Sequence, residues 1–99
     1  MITFKTNAQF LAWVAEHQQD GFFVGYAYDH PPKATHYEPF IPRLHLTTCK
    51  YATTKPNHVE GDYGKDGSLD RDELIAKWGR HDLEYCEKCN PLNDTRDRQ

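Results

Sequence analysis

The sequence predicts a small α+β domain with a short antiparallel sheet and two helices. Two segments place apolar residues at helical spacing behind residues that cap helices, and an aromatic-rich segment between them fits a strand ended by prolines. The chain has 99 residues, which suffices for one domain with a small core. We therefore expect one domain over residues 1–99, with a polar tail at residues 90–99 that frays.

The first helix should begin after Thr6 or Asn7, either of which can cap it, and should end near Gly21. Apolar residues recur at helical spacing along it and predict one buried stripe, with Trp13 at its edge. The stripe consists of Phe10, Leu11, Val14 and Ala15. This helix is expected to support the fold rather than to carry the function.

An aromatic strand should follow over residues 21–28. Because side chains alternate along a strand, one face carries Phe22, Val24, Tyr26 and Tyr28, and the other carries Phe23, Gly25 and Ala27. Residues 29–42 contain four prolines, which cannot donate to a strand ladder, so they predict a long loop that bears aromatic residues. A short strand over residues 43–47 should then turn His45 away from Leu44 and Leu46.

The second helix is indicated by Asp70 and Glu73, whose separation fits a capping box, and by Gly79, which should end it. Its inward-facing residues should be Leu74, Ile75 and Trp78. Before this helix, the sequence predicts a turn-rich stretch through Lys55-Pro56-Asn57 and then an acidic turn.

Three cysteines and one histidine have the spacing of metal ligands. A His-x3-Cys step can bring an imidazole and a thiolate together at residues 45–49, and a Cys-x2-Cys turn can do the same for two thiolates at residues 86–89. The predicted ligands of this closed zinc site are His45, Cys49, Cys86 and Cys89. Four protein ligands leave no position for water, so the zinc would be structural. His81 is a rival to His45, and the alternatives for the cysteines are buried thiols without metal or a redox dithiol.

A second metal pattern runs from Asp62 to Glu73. Its acidic positions, the glycine at its sixth position and the aliphatic residue at its eighth resemble an EF-hand calcium loop. The candidate calcium ligands are Asp62, Asp66, Asp70 and Glu73. However, Gly64 at the third position has no side-chain oxygen, and Pro56 interrupts the entering helix. An acidic turn before a capped helix explains the pattern without calcium.

The closing segment Cys86-Glu-Lys-Cys89-Asn90 resembles that of HNH nucleases, and Asn57-His58 supplies an Asn-His pair. The resemblance implies a general-base histidine on a strand and two Cys-x2-Cys knuckles, whereas this chain has His45-x3-Cys49 in place of the first knuckle. His58 is the only candidate base. The sequence therefore leaves enzymatic activity open and favours its absence.

Composition limits the functional classes. The formal net charge is −3, with the acidic excess in the C-terminal half and the basic residues scattered, which disfavours nonspecific nucleic-acid binding but allows a local basic patch. No apolar run approaches the roughly 18 residues of a membrane span. The odd number of cysteines and a start without a charged-then-apolar leader predict a cytoplasmic protein.

A wider resemblance covers motifs along most of the chain. They are Leu11-Ala12-Trp13, Asp20-Gly21-Phe22-Phe23-Val24, Leu44-His45-x3-Cys49, Gly61-Asp62-Tyr63, Glu73-Leu74-x3-Trp78 and Cys86-x2-Cys89. In these motifs the chain resembles a small bacterial and phage domain with a His-x3-Cys…Cys-x2-Cys zinc site, seen alone or beside restriction-type nucleases and other defence proteins. The resemblance implies an accessory recognition module in restriction or phage–host defence.

Two functional hypotheses from different classes result. The aromatic loop and its neighbours form the predicted working surface, with Tyr26, Tyr28, His30, Tyr37, Arg43 and Lys50 as candidate ligand-binding residues. The first hypothesis is a nucleic-acid recognition module, for an extruded or modified base. The second is a protein-binding module whose acidic C-terminal half engages a basic partner. Ordinary core and rim packing is the alternative explanation of the aromatic residues.

Overall fold

A five-stranded mixed sheet with a helix on each face makes up the part of the chain that the computed structural model describes, residues 1–29, 38–49 and 63–96. In chain order the elements are β1 (Ile2–Thr3), α1 (Asn7–Glu16), β2 (Phe22–Asp29), β3 (Glu38–Leu46), β4 (Tyr63–Ser68), α2 (Arg71–Trp78), a 3-10 turn (Gly79–His81) and β5 (Glu84–Tyr85). The sheet order is β1-β4-β2-β3-β5. The β3–β5 pair is parallel, and the other pairs are antiparallel. The predicted α+β class is confirmed, with one parallel pair added to the expected antiparallel sheet.

β2 is the central strand, and its alternating side chains divide the core into two layers. Phe23 faces α1, where the Phe10 ring lies edge-on at 4.9 Å between ring centroids. Phe22, Val24 and Tyr26 face α2 and pack with its buried residues. The predicted faces of this strand are therefore confirmed for the described side chains.

α1 begins where the sequence predicts. The Thr6 hydroxyl accepts a backbone N–H of the first turn at 3.1 Å and so caps the helix. The predicted buried stripe is too wide, because Leu11 is 40% exposed and Ala15 is also exposed. Phe10 and Val14 are the buried residues, so α1 contacts the sheet along a narrow ridge of residues four apart.

α2 is capped by Asp70, whose carboxylate accepts a first-turn N–H at 3.0 Å. Glu73 does not complete the predicted capping box. Instead, the Asp70 N–H donates to the Ser68 hydroxyl, and that hydroxyl donates to Glu73. Leu74 and Trp78 are buried as predicted. Both helices in the described ranges, with 10 and 8 residues, are far shorter than the roughly 20 apolar residues that cross a membrane.

β3 is longer than predicted. It begins at Glu38, within the expected loop, although it contains Pro39 and Pro42. The register with β2 shifts between Gly25 and Ala27, which marks a bulge, and β5 covers only residues 43–44 on the outer side of β3. Prolines are tolerated at bulges and sheet edges, because no ladder donor is required there.

β4 occupies residues 63–68, where the sequence predicts an acidic turn. A Cβ at Gly64 would overlap the Tyr26 ring, and a Cβ at Gly67 would lie 2.9 Å from the Phe4 ring. Close packing of aromatic rings on both faces therefore requires these glycines. Glycine is depleted in strands, so these two glycines explain why the sequence pattern predicts a turn here rather than a strand.

Residues 91–96 pack against the domain rather than fray. Pro91 is fully buried. The Arg96 guanidinium donates to backbone carbonyls of the α1–β2 turn at 2.8 and 3.1 Å and to the Thr47 hydroxyl at 2.9 Å. It also pairs with Asp94 at 2.9 Å, with both side chains at least nine-tenths buried. The expected fraying does not hold for this segment, and residues 97–99 lie outside the described ranges.

Candidate metal centre

The four predicted zinc ligands come together between the end of β3 and the turn after β5. His45 lies opposite Phe23 in the sheet, and its imidazole stacks on the Phe23 ring with 5.0 Å between centroids. Cys49 follows β3 in a turn that its N–H closes by donating to the Leu46 carbonyl at 3.0 Å. The cluster consists of His45, Cys49, Cys86 and Cys89, and we term it the Cys3His centre.

β5 and the turn after it position the second pair of cysteines. The Cys86 N–H donates to the Leu44 carbonyl at 3.0 Å, which extends the contact between β5 and β3 to the first of these cysteines. The Asn90 N–H donates to the Cys86 carbonyl at 2.9 Å, and Asn90 has a φ of 49°, a left-handed conformation that asparagine tolerates better than most residues. The Cys-x2-Cys segment therefore folds as a closed turn.

The geometry fits one tetrahedral metal ion. Each of the four residues offers one ligand atom, and these atoms lie within 4.8 Å of one another. A tetrahedron with metal–sulfur bonds of about 2.3 Å has sulfur–sulfur edges of about 3.8 Å. The Cys49 and Cys86 sulfurs are 3.8 Å apart, and the three cysteines form no disulfide with one another. The Cys3His centre could therefore coordinate a metal ion such as zinc.

Burial and hydrogen bonds act on the thiols in opposite directions. Burial by itself raises the pKa of Cys86, but the backbone N–H groups of Cys89 and Lys88 donate to its sulfur, so its pKa lies below the usual value. Burial raises the pKa of Cys89 to about 12, despite an N–H donated by Leu46 at 3.3 Å, and negative charge on the neighbouring thiolates adds to the shift. A bound divalent cation would allow all three sulfurs to be thiolates together.

The His45 imidazole is held in its neutral form. Burial, together with the positive charges of Lys65 and Arg43, lowers the pKa of His45 to about 4. Neutral imidazole is the form that ligates metals. The Nδ1 atom of His45 is buried and has no hydrogen-bond partner among the described residues. Such an atom is costly in a protein interior, and a metal ion coordinated through Nδ1 would satisfy it.

His81, the predicted rival ligand, lies outside the cluster. It belongs to the 3-10 turn, where its ring centroid is 5.6 Å from that of Trp78. Its Nε2 atom accepts a hydrogen bond from Arg80 at 3.3 Å. The tertiary structure therefore selects His45 as the histidine of the centre.

Of the six residues predicted to bind a ligand, the structure describes the side chains of two. Tyr26 is 5% exposed, and its ring centroid lies 4.3 Å from that of Trp78, so it is a core residue rather than part of an exposed stacking surface. The Arg43 side chain is 51% exposed and pairs with Glu84 at 2.6 Å. Tyr28 belongs to β2, but its side chain is not among those described. The others, which lie outside the described ranges, are His30, Tyr37 and Lys50.

The acidic segment considered for calcium forms a strand and a helix cap rather than a coiled loop. Asp66 is fully buried on β4, and its carboxylate accepts four hydrogen bonds of 2.6–3.2 Å. The donors are Thr3, Tyr26, Lys77 and Trp78. Asp70 caps α2, Glu73 accepts the Ser68 hydroxyl, and Asp62 lies outside the described residues. Calcium binding by these residues stays a prediction of the sequence.

Lys65 was not predicted as a notable residue. It lies in the run Gly64-Lys65-Asp66-Gly67, whose composition is typical of a solvated turn, yet it is only 4% exposed on β4. Its burial could have been predicted only if residues 63–68 had been recognised as a strand, in which side chains alternate between the two faces. The Asn57-His58 pair of the nuclease hypothesis lies outside the described ranges.

Comparison of the chain with family models, with curated proteins and with solved structures finds no match. The resemblance to a bacterial and phage zinc domain therefore stays a prediction of the sequence. The Cys3His centre and its surroundings are the basis for assigning a function.

Proposed function

We propose that the chain binds one Zn²⁺ ion at the Cys3His centre and that this zinc stabilises a recognition domain without catalysis of its own. One observation carries the proposal: one nitrogen and three sulfur ligand atoms lie within 4.8 Å of one another. Thiolate and imidazole ligands favour zinc, whereas magnesium and calcium prefer oxygen. Four protein ligands close the coordination sphere, as in structural zinc sites, whereas catalytic sites keep a position for water.

The proposed zinc joins two parts of the chain that are distant in sequence. One pair of ligands belongs to β3 and its end, and the other pair follows β5. β5 has only two residues, which pair with Arg43 and Leu44 of β3. Such a short strand contributes little stability by itself, so the metal would hold the segment after residue 83 against the sheet.

Two histidine variants test this proposal with a matched control. Native mass spectrometry of the wild type should show one zinc per chain, and a chelator should remove the zinc and lower the thermal midpoint. His45→Ala should lose zinc, because a ligand is missing. His81→Ala should keep it, because His81 lies outside the centre. Zinc-free wild-type protein prepared without chelators would refute the proposal, and so would equal zinc content in His45→Ala and the wild type.

Nucleic acid is the first candidate partner for the recognition role. The proposed compartment is the cytoplasm, where reducing conditions keep cysteines from forming disulfides. The exposed Arg43 guanidinium, two residues from His45 on β3, is the described group through which this contact would be made. Arg43→Ala should weaken DNA binding measured by fluorescence anisotropy, and unchanged binding would remove Arg43 from the proposed surface. We also propose a role in restriction or phage–host defence, and this part of the proposal rests only on the resemblance to the bacterial and phage zinc domain.

A basic protein is the second candidate partner. Asp70 and Asp72 are exposed at the start of α2 and supply negative charge in the C-terminal half. Asp70→Asn with Asp72→Asn should reduce capture of a basic partner, whereas unaffected capture would count against this role. Asp66 is unsuitable for the test, because it is buried and its replacement would act on stability.

A further inference from the structure

We infer that the α1 face of the sheet carries a phosphate-binding site formed by Lys65, Gly25 and Arg43 beside the Cys3His centre. Gly25 on the central strand pairs with Lys65 of β4 on one side and with Arg43 of β3 on the other, so the three residues form one row across the sheet. They share the face of Phe23 and His45, because alternate residues of a strand point to the same side. We term these three residues the basic row. The inference goes beyond the proposed zinc domain and does not depend on it.

Among the described residues, the Lys65 ammonium has no anionic partner. Lys65 is 4% exposed, and within the described ranges no carboxylate pairs with it. Its Nζ atom lies 5.3 Å from the centroid of the Phe10 ring, a cation–π contact that compensates part of the lost hydration. Lys77, whose ammonium also lies over an aromatic ring, instead has a carboxylate partner at 2.6 Å. A buried charge is costly unless it is paired, and burial accordingly lowers the pKa of Lys65. A bound anion would supply the missing partner.

Gly25 leaves room for the Lys65 ammonium on the α1 face of the central strand. A Cβ at this position would lie 3.3 Å from the Lys65 Nζ atom, so the ammonium lies directly over the glycine backbone. Gly25 is only half-buried, whereas Val24 and Tyr26 on either side of it are buried. Glycine within a strand often marks a place where a ligand approaches the backbone closely. The Lys65 ammonium therefore lies beside a partly exposed position of the sheet, where an anion could approach it.

Arg43 adds the second positive group, on the opposite side of Gly25. Its Nε and Nη2 atoms donate to one oxygen of Glu84 at 3.3 and 2.6 Å, which orients the planar guanidinium. Strand spacing of about 4.8 Å places the backbones of Lys65 and Arg43 about 10 Å apart, a span that two long side chains can close around one phosphate group. Phosphate oxygens match these donors, because charge-assisted hydrogen bonds to phosphate are strong.

Titration of the purified protein, as isolated, with inorganic phosphate tests the site, and amide NMR correlation spectra follow the titration. Amide signals of the basic row should shift in a saturable manner in the wild type. Lys65→Met keeps the length of the side chain without its charge, and it should weaken phosphate binding by about tenfold or more. Lys5→Met is the matched control, because Lys5 is exposed and lies outside the row, and its affinity should equal that of the wild type.

A thymidine dinucleotide titrated in parallel distinguishes the sources of the phosphate group. Tighter binding of the dinucleotide would assign the site to a nucleic-acid backbone, and tighter binding of inorganic phosphate would assign it to free phosphate or a monoester. Zinc content is measured in every sample, so loss of the metal is seen separately from loss of the phosphate site. Absence of saturable shifts in the wild type, or equal affinity of the wild type and Lys65→Met, would overturn the inference.

Discussion

Neutralising the Asp66 carboxylate should strongly destabilise the domain. Asp66 is 0% exposed. One of its oxygens accepts the hydroxyls of Thr3 and Tyr26 at 2.8 and 3.2 Å. The other accepts the ammonium of Lys77 at 2.6 Å and the indole N–H of Trp78 at 3.0 Å. One side chain on β4 thereby connects β1, β2 and α2.

The magnitude follows from the change in these four bonds. Asp66→Asn keeps the shape of the side chain but removes its charge. The amide oxygen can still accept from Lys77 and Trp78, and the NH2 group can donate to the hydroxyls of Thr3 and Tyr26. Each bond then falls from about 1.5–3 kcal/mol to about 0.5–1.5 kcal/mol. The loss of about 1 kcal/mol per bond is partly recovered by Lys77, whose side chain is 39% exposed and can return to water. We expect a fall of about 3 kcal/mol in the free energy of unfolding, a large part of the roughly 5–15 kcal/mol typical of small domains.

Urea unfolding measures this change, with wild type and variants prepared at the same metal content. With an m-value of about 1.5 kcal/mol per molar urea, the midpoint should fall by about 2 M. Asp72→Asn is the matched control, because its side chain is 81% exposed and its replacement should change the free energy of unfolding by less than about 1 kcal/mol. If Asp66→Asn lowers the midpoint no further than Asp72→Asn, the carboxylate does not connect these elements and the reasoning is refuted.

Three further predictions concern the tail, the buried lysine and calcium. Arg96→Ala should lower the free energy of unfolding, measured in urea, by about 2–3 kcal/mol. The substitution removes the cation that pairs with the buried Asp94 and the donor to two turn carbonyls. A loss below about 0.5 kcal/mol would contradict the packing of this segment against the domain. Relative to Lys65→Met, the wild type should gain stability as the pH rises toward about 10.4. The reason is that burial lowers the pKa of Lys65, so the unfolded chain binds more protons than the folded one in that range; parallel pH profiles of the two proteins would argue against a charged, buried Lys65. Calcium should leave the thermal midpoint unchanged, because the oxygens of the Asp66 carboxylate already accept four hydrogen bonds and are not available to a cation. A calcium-dependent rise in the thermal midpoint that a chelator reverses would support the EF-hand hypothesis.

Features that depend on a few neighbouring residues were predictable from the sequence. Helix caps are of this kind, and Thr6 and Asp70 cap α1 and α2 as expected. The two faces of β2 follow from the alternation of its own side chains. The ligand spacings His-x3-Cys and Cys-x2-Cys likewise belong to single turns, so the candidate metal ligands could be named without a structure.

Features that depend on contacts between distant segments required the tertiary structure. His45 and His81 are both near cysteines in sequence, and only the β3–β5 pairing and the turn after β5 place His45 with the three sulfurs. Two of the six residues of β4 are glycines and two are charged, so its intrinsic strand propensity is poor. Pairing with β1 and β2 compensates for this low propensity. The burial of Lys65 results from that pairing, because β4 lies between two strands and Phe10 of α1 packs against the lysine side chain. Local spacing therefore named the candidate ligands, whereas the packing of non-local strands decided which histidine joins the cysteines and where the Asp66 connections and the basic row lie.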